Sequence, residues 1–343
     1  MAEPKIRTME EFATVSGISR PTVSKYFHDP NSVRASTRSR IEAALEQYDY
    51  RPNIYAMNQN RRLTRNIGIV VPYLADPFFA EIVRHLERRC IEAGFSPTMF
   101  SSHGEPAFEN DILDNLRSMR PAGVFLAPLG RRSDRTALER FCAEVPTILF
   151  DSEVEGIGEA FVGTDNFQSI GLIVDYLSRT GEPPVLFEMK GAANPNSRKR
   201  RAAYRQAMEA LGHKPQVIQA AGEGWDFEEI GFRGGCRVIS EKALATDTVL
   251  CSNDRLAIGF LAAAYEKGLR VGRGSGFALR VAGHDDHPFA RYTSPSLTTV
   301  AQDCAAIAEK SLETLFRRLD SGGPFRERES TLHDGRLVMR HSA

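Results

Sequence analysis

Tryptophan and cysteine are scarce in this chain, and no hydrophobic run is long. Trp225 is the single tryptophan in 343 residues. The five cysteines form no CxxC pair, and an odd number cannot all be joined in disulfides, so a reducing compartment is expected. No apolar run reaches the ~18–20 residues of a membrane helix, and the N-terminal residues lack a signal-peptide core. We therefore predict a cytoplasmic protein without a membrane segment.

The chain also lacks net charge, with 44 Lys and Arg against 44 Asp and Glu. The distribution is uneven, because residues 1–65 carry 11 basic against 7 acidic side chains and the remainder carries 33 against 37. This asymmetry indicates a basic module joined to an acidic body, and an ordinary solvated surface is the alternative interpretation. Neutrality of the whole chain therefore does not exclude a nucleic-acid partner.

The first fifty residues have the pattern of three short helices. Thr8 and Glu11 form a T-x-x-E capping box at a helix start, and Gly17 suits the end of that helix. Ser19 is placed to cap a second helix, with Pro21 in its first turn. Apolar spacing predicts the buried faces of the second helix and of a third over residues 36–48, namely Val23, Tyr26, Phe27, Ile41, Ala44, Leu45 and Tyr48. This order predicts a helix-turn-helix, with another small three-helix domain as the alternative.

The segment TMEEFATVSGISRPTVSKYF through YRPN (residues 8–53) resembles the DNA-binding headpiece of the lactose-repressor (LacI/GalR) family of bacterial transcription regulators. The resemblance implies that Arg20, Pro21 and Lys25 face base edges in the major groove, where arginine and lysine donate to guanine. Thr22 and Ser24 would position phosphates. The predicted DNA-binding residues are Thr8, Ser19, Arg20, Pro21, Thr22, Ser24, Lys25, Asn53, Met57 and Gln59.

Residues 53–62 correspond in the family to a hinge helix that enters the minor groove when two copies pair on an operator. Family members usually place a leucine wedge where this chain has Gln59. Either Met57 takes part in kinking the operator, or the operator is bent less and Gln59 contacts base edges. A simple interdomain linker is the alternative interpretation.

From Asn66 onward, strand-like apolar runs alternate with helical patterns, an order typical of doubly wound parallel sheets. The order starts again at residues 161–166, which predicts two lobes with a ligand cleft at the carboxyl ends of their strands. The repetition resembles the periplasmic-binding-protein-like type I core of the same family, so the resemblance covers nearly the whole chain. We expect an all-α headpiece at 1–52, a hinge at 53–65 and an α/β core at 66–343, with a first lobe at 66–163 and 303–326 and a second at 164–302 and 327–343.

Family motifs supply candidate ligand-binding residues along the core. Eight segments of this chain resemble the segments that line the cleft in the family, namely VPYLADPFF, ILFD, VGTDN, SRKRRAAY, EGWDFEEIGF, CSNDRLAIG, VAGHDD and LTTVAQD. Carboxylates, amides and an aromatic face suit a polyhydroxylated ligand. The residues that the resemblance implies are Asp76, Phe78, Phe79, Asp151, Asp165, Arg200, Trp225, Asn253, Asp285 and Gln302.

Some of these assignments have competing interpretations. Phe78 and Phe79 also fit packing within a lobe. Trp225 also fits a core position, and Phe227 competes with it for the ligand contact. Arg200 has three basic neighbours (Arg198, Lys199 and Arg201), so its choice depends on the resemblance alone.

Motifs of phosphate-binding and hydrolytic enzymes are missing from the sequence, including GxxxxGK[ST], GxGxxG after a strand, GxSxG and HExxH. The run His284–His287 contains metal-compatible side chains, but no distant third ligand motif accompanies it. We predict that the chain is not an enzyme and has no metal or cofactor.

The expected function is a ligand-responsive, sequence-specific repressor of carbohydrate uptake or catabolism genes, with a sugar or sugar-like effector in the cleft. The segment TLHDGRLVMRHSA has no leucine heptad, so a homodimer on a pseudo-palindromic operator is expected. A periplasmic solute-binding protein without a regulatory role is the alternative, although the headpiece and the missing signal peptide disfavour it. A sugar kinase would need a phosphate loop.

Overall fold

A computed structural model describes residue 6 and residues 8–50, 64–191 and 195–343. Contacts divide the chain into two compact units, Met1–Thr64 and Arg65–Ala343. No helix within the described ranges is long and apolar enough to cross a membrane.

The first unit contains the three predicted helices, α1 (Met9–Ser16), α2 (Arg20–His28) and α3 (Ala35–Tyr48), with a 3-10 turn at Pro30–Ser32. Phe12, Val23 and Ile41, one from each helix, are fully buried. The Tyr50 ring stacks on Phe12 with centroids 4.7 Å apart. The predicted faces therefore meet in one small core, which confirms the helix-turn-helix.

The second unit alternates strands and helices. Strands β1 to β12 are, in chain order, Asn66–Val71, Ser96–Ser101, Gly123–Leu126, Thr147–Phe150, Ala160–Thr164, Val185–Met189, Val217–Ala220, Thr248–Cys251, Arg280–Ala282, Thr299–Ala301, Glu329–His333 and Arg336–Val338. Helices α4 to α11 are Pro77–Glu92, Pro106–Met119, Arg135–Glu144, Asn166–Thr180, Asn196–Ala210, Phe227–Ser240, Asp254–Glu266 and Cys304–Ser321.

The first lobe is built on a six-stranded sheet in the order β11-β5-β4-β3-β1-β2. All its neighbouring strands are parallel. Strands β1, β3 and β4 are buried along almost their whole length, as expected when helices cover both faces of a parallel sheet. Helix α11 packs on α4, β4 and β5, which places residues 304–321 in this lobe.

The second lobe contains the parallel sheet β7-β6-β8-β9 and the antiparallel pair β10-β12. Helices α7 and α8 pack together there, and α9 packs closely on α10. Two parallel sheets in series confirm the predicted two-lobed α/β class.

One boundary of the predicted lobes is wrong. Residues 327–343 were assigned to the second lobe, but β11 pairs in parallel with β5, with Glu329 opposite Ala160 and His333 opposite Thr164. The backbone hydrogen bonds of β11 therefore complete the edge of the first sheet. The last crossing to the second lobe lies between His333 and Arg336, where β12 begins and pairs with β10.

Candidate functional site

The capping box predicted at the start of α1 is present. The Glu11 N–H donates to Thr8 Oγ1 at 3.1 Å, and the Thr8 N–H donates to Glu11 Oε2 at 3.2 Å. Gly17 ends the helix with φ of 62°, a left-handed conformation that glycine adopts at little cost. Thr8 thus has a capping role in the structure, and its contact with DNA stays a prediction.

Ser19 stands at the N-cap position of α2, but its side chain makes no capping bond to the backbone. The hydroxyl instead lies 2.7 Å from that of Thr22. The Thr22 and Val23 amides donate to the Ser19 carbonyl, at 2.9 and 3.0 Å. The expected side-chain cap is therefore wrong, because the hydroxyl bonds to the Thr22 side chain.

The outward face of α2 carries side chains predicted to contact DNA. Arg20, Pro21, Ser24 and Lys25 are exposed, whereas Val23 on the opposite face is buried. Thr22 is half-buried. The packing of α2 thus leaves two cationic side chains and a hydroxyl on one surface, as a major-groove reader requires.

The hinge predictions cannot be placed in the same way. Asn53, Met57 and Gln59 lie outside the described residues.

Arg200 lies at the centre of a buried polar network in the core. It is 3% exposed, and its guanidinium donates to Asn166 Oδ1 at 3.1 Å, the Ser252 carbonyl at 2.8 Å and Asp285 Oδ1 at 2.9 Å. Among its neighbours, Arg198 is exposed, and Arg201 forms an ion pair with the buried Glu188. Burial and bonding therefore single out Arg200 within the basic run.

Asp285 connects this network to the cleft. Its Oδ1 also accepts from Gln302 Nε2 at 2.7 Å and lies 3.0 Å from His284 Nδ1. Burial alone would raise the pKa of Asp285, but the Arg200 charge and the bonds from His284 and Gln302 hold it below its usual value. Gln302 is itself fixed, because its Oε1 accepts from Thr164 Oγ1 at 2.6 Å. Asp285 is therefore an anion with a fixed orientation.

Asp151 follows β4 and is bonded from the second lobe. Asn196 Nδ2 donates to Asp151 Oδ1 at 2.8 Å and to its carbonyl at 3.0 Å. Burial raises the pKa of Asp151 to about 7. Asp151 and Asp285 also have positive φ, 58° and 127°. Such backbone angles cost roughly 1–3 kcal/mol each and cluster at ligand-binding sites.

A cavity of about 590 Å³ opens beside Asp285. Four predicted residues line it: Asp76, Phe78, Asp285 and Gln302. Its wall also includes residues that the sequence did not suggest, among them Arg255, His287, Arg291, Tyr292 and Arg336. The volume lies within the range of small-molecule sites, and its mixture of charged and aromatic groups suits a polar ligand.

Four other predicted residues lie outside that lining. Phe79 is 2% exposed and packs in the hydrophobic core. Asp165 caps α7 by accepting from the Phe167 and Gln168 amides at 2.9 and 3.0 Å. Asn253 caps α10 by accepting from the Leu256 amide at 2.8 Å. Arg200 donates to the Asp285 carboxylate, as described above. For all four residues, contact with a ligand stays a prediction.

Trp225 is 7% exposed and stacks on Tyr73, with centroids 5.8 Å apart and planes within 11°. Phe227, its competitor in the sequence, meets it edge to face at 5.7 Å and is more deeply buried. Trp225 lines a second opening of about 800 Å³ with His103, Arg132 and Lys190, among others. Of the two aromatics, Trp225 is therefore the more exposed and lines this second opening, and its contact with a ligand stays a prediction.

Arg255 is the main residue that sequence reasoning missed. It follows the Asn253-Asp254 motif directly, and its guanidinium bonds Glu228 and Asp76. The sequence feature that could have identified Arg255 is its position in the first turn of α10, a helix that begins at the cleft. Its partner Asp76 is 179 positions away in the chain, and no local pattern predicts such a pair.

Comparisons with known proteins agree with this arrangement. Residues 8–53 match the family model for bacterial regulatory proteins, lacI family, and residues 166–343 match a periplasmic binding protein-like domain. The ribose operon repressor of Escherichia coli (strain K12) is 26% identical over 314 residues, which cover 91% of this chain and 93% of that protein. The HTH-type transcriptional repressor PurR of Histophilus somni (strain 129Pt) is 25% identical over 337 residues, 98% of each chain.

Among solved structures, the chain is similar to the lac repressor dimer bound to operator and the anti-inducer ONPF. The TM-score is 0.83 and the identity 25%, and the match covers 98% of this chain and 99% of that one.

Proposed function

We propose, because this chain belongs to the lacI family of bacterial regulatory proteins, that it is a ligand-responsive repressor which binds operator DNA as a dimer. One observation carries the proposal: α2 buries Val23 and leaves Arg20, Ser24 and Lys25 exposed on one face of a domain that matches the family's DNA-binding module. The activity is binding and regulation rather than catalysis. We place it in the cytoplasm, where operator DNA is accessible.

DNA binding is tested with genomic fragments selected by the purified full-length protein and then measured by fluorescence anisotropy. Affinity should fall steeply with salt, because the bound protein displaces counterions from phosphates. Lys25→Ala should weaken specific binding by about 1–3 kcal/mol, which is roughly 5- to 150-fold. Lys267→Ala, an exposed lysine of the core, is the matched control and should bind like the parent chain. Selection of no fragment at low salt would favour the solute-binding alternative.

We infer further that the effector is a sugar or sugar derivative and that the controlled genes serve carbohydrate uptake or catabolism. The carboxylates and the amide that line the cavity suit vicinal hydroxyl groups, and a relative of 26% identity is the repressor of a ribose operon. A panel of sugars screened by thermal shift tests this inference. A sugar that stabilises the parent chain should not stabilise Asp285→Asn. Asp175→Asn, whose exposed partner Arg179 lies 2.8 Å away on α7, should keep the response.

Dimer formation is measured independently by analytical ultracentrifugation. A two-fold dimer matches the half-site spacing of a pseudo-palindromic operator. A protein that sediments as a monomer at the concentration at which it binds operator would overturn this part of the proposal.

A further inference from the structure

Arg255 is held on the second lobe by two contacts. Its Nε and Nη2 donate to the two carboxylate oxygens of Glu228 at 2.7 and 2.6 Å. Its guanidinium also lies 5.3 Å from the centroid of the Phe227 ring. A bidentate carboxylate and an aromatic face fix the rotamer of an arginine. The third nitrogen of Arg255 therefore has a defined direction before it meets another group.

That third nitrogen reaches the first lobe. Arg255 Nη1 donates to Asp76 Oδ2 at 3.2 Å, and the two side chains are 13% and 12% exposed. The other oxygen of Asp76 caps α4, because Oδ1 accepts from the Phe78 amide at 3.0 Å. Asp76 thus divides its oxygens between its own helix and the opposite lobe.

An aromatic contact between the lobes accompanies this ion pair. Tyr73 follows β1 in the first lobe and stacks on Trp225, which precedes α9 in the second. Phe79 of the first lobe meets Trp225 at 6.1 Å. The indole of Trp225 is therefore covered by side chains of the opposite lobe, and its exposure depends on how closely the lobes approach.

We propose that the Asp76–Arg255 ion pair is a latch that holds the two lobes closed on its own, before any effector binds. An exposed ion pair contributes little, since ordering two long side chains offsets its Coulomb energy. Here the arginine is ordered by its own lobe and both partners are mostly shielded from water, so closing the contact costs little extra entropy. A latch of this kind raises the population of the closed lobes, and a ligand that prefers the closed form then binds more tightly.

The geometry makes the contact separable from the fold. Glu228 still accepts two hydrogen bonds from Arg255 when Asp76 is replaced. The cap of α4 requires an acceptor oxygen at position 76 and does not require a negative charge. Asparagine at position 76 can keep the cap while it removes the anion that Arg255 meets. Asp76→Asn therefore breaks the latch selectively, and Asp76→Ser is a second variant that keeps a capping oxygen.

The test is acrylamide quenching of fluorescence in the full-length protein without added ligand. Trp225 is the single tryptophan, so the signal reports this one position between the lobes. The quenching constant should rise about twofold or more in Asp76→Asn, because an opened cleft exposes the indole.

Glu92→Gln is the matched control, because it removes an ion pair of the same helix, to Arg89 at 3.1 Å, that stays within the first lobe. Its quenching constant should equal that of the parent chain. Circular dichroism checks that each variant is folded. The latch is overturned if folded Asp76→Asn or folded Asp76→Ser keeps the parent quenching constant. This result does not bear on DNA binding, so failure of the latch is distinguishable from failure of the proposed function.

Discussion

Arg200 donates from Nη2 to Oδ1 of Asp285 across 2.9 Å, and this bond sets the orientation of the carboxylate that lines the cleft. The two residues are 85 positions apart in the chain. Arg200 is nearly inaccessible, so we predict that it affects a ligand through Asp285.

Replacement of Arg200 should therefore destabilise the core as well as abolish the response to a ligand. Arg200→Met removes the cation that Asp285 faces and leaves an uncompensated buried charge, which costs about 3–5 kcal/mol. Urea unfolding followed by Trp225 fluorescence gives the free energy of unfolding. Arg198→Met, an exposed arginine two residues earlier, should change it little. Equal stability of the two variants would contradict the central role of Arg200.

Asp254 should make stability depend on pH. It is fully buried, and burial together with the charge of Asp285 raises its pKa to about 8. The folded chain therefore keeps a proton that the unfolded chain releases above about pH 4. Stability consequently falls as pH rises from about 4 to about 8, by an amount on the order of a few kcal/mol.

Asp254→Asn should remove that dependence, because the amide oxygen can accept from the His287 amide and the amide nitrogen can donate to Thr299 Oγ1. From pH 5 to pH 8, the free energy of unfolding of Asp254→Asn should rise relative to that of the parent chain. Unfolding curves at four pH values measure it. A difference that stays constant over this range would show that Asp254 does not titrate there.

The capping box of α1 should contribute measurably to the headpiece. Thr8→Ala loses the bond from the Glu11 amide and should cost about 1 kcal/mol. Hydrogen exchange of the α1 amides in the full-length protein measures the loss. Thr14→Ala in the same helix is the comparison, and it should slow exchange slightly because alanine has the higher helix propensity. Faster exchange in both variants would argue against a specific cap.

Gly259 should tolerate no side chain, because α9 and α10 pack there backbone to backbone. A Cβ at Gly259 would lie 2.0 Å from the Glu228 carbonyl oxygen. Gly259→Ala should therefore push α10 away from α9 and cost roughly 1–3 kcal/mol or more. Gly171→Ala in α7, where a Cβ meets nothing within 4 Å, should instead stabilise the chain by about 0.5–1 kcal/mol. The melting temperatures of the two variants measure this difference, and equal shifts in melting temperature would contradict the close packing at Gly259.

Much of the fold was predictable because its signals are local. The capping box, the glycine that ends α1 and the apolar spacing of α2 and α3 each act within one or two helical turns. The buried strands β1, β3 and β4 likewise appear as short apolar runs. The sequence places the edge strand β11 in the wrong lobe. Its residues are half-exposed and form no apolar run, and only the pairing with β5, far away in the chain, fixes its position.

The site was predictable by residue type and less so by role. Asp285 and Gln302 line the cavity, whereas Asp165 and Asn253 each direct one oxygen to helix amides. A carboxylate or amide oxygen can cap a helix or contact a ligand, so residue type alone cannot distinguish the two roles.

The sequence by itself determined a basic helix-turn-helix followed by two α/β lobes, since helix caps, hydrophobic periods and local charge each depend on residues that are close together in the sequence. Tertiary structure alone decided which oxygens face the cavity, which lobe takes the last parallel strand, and that Arg255 meets Asp76. These outcomes depend on desolvation and on distances between residues far apart in the chain. They arise when two lobes close on each other, and no local pattern encodes that approach.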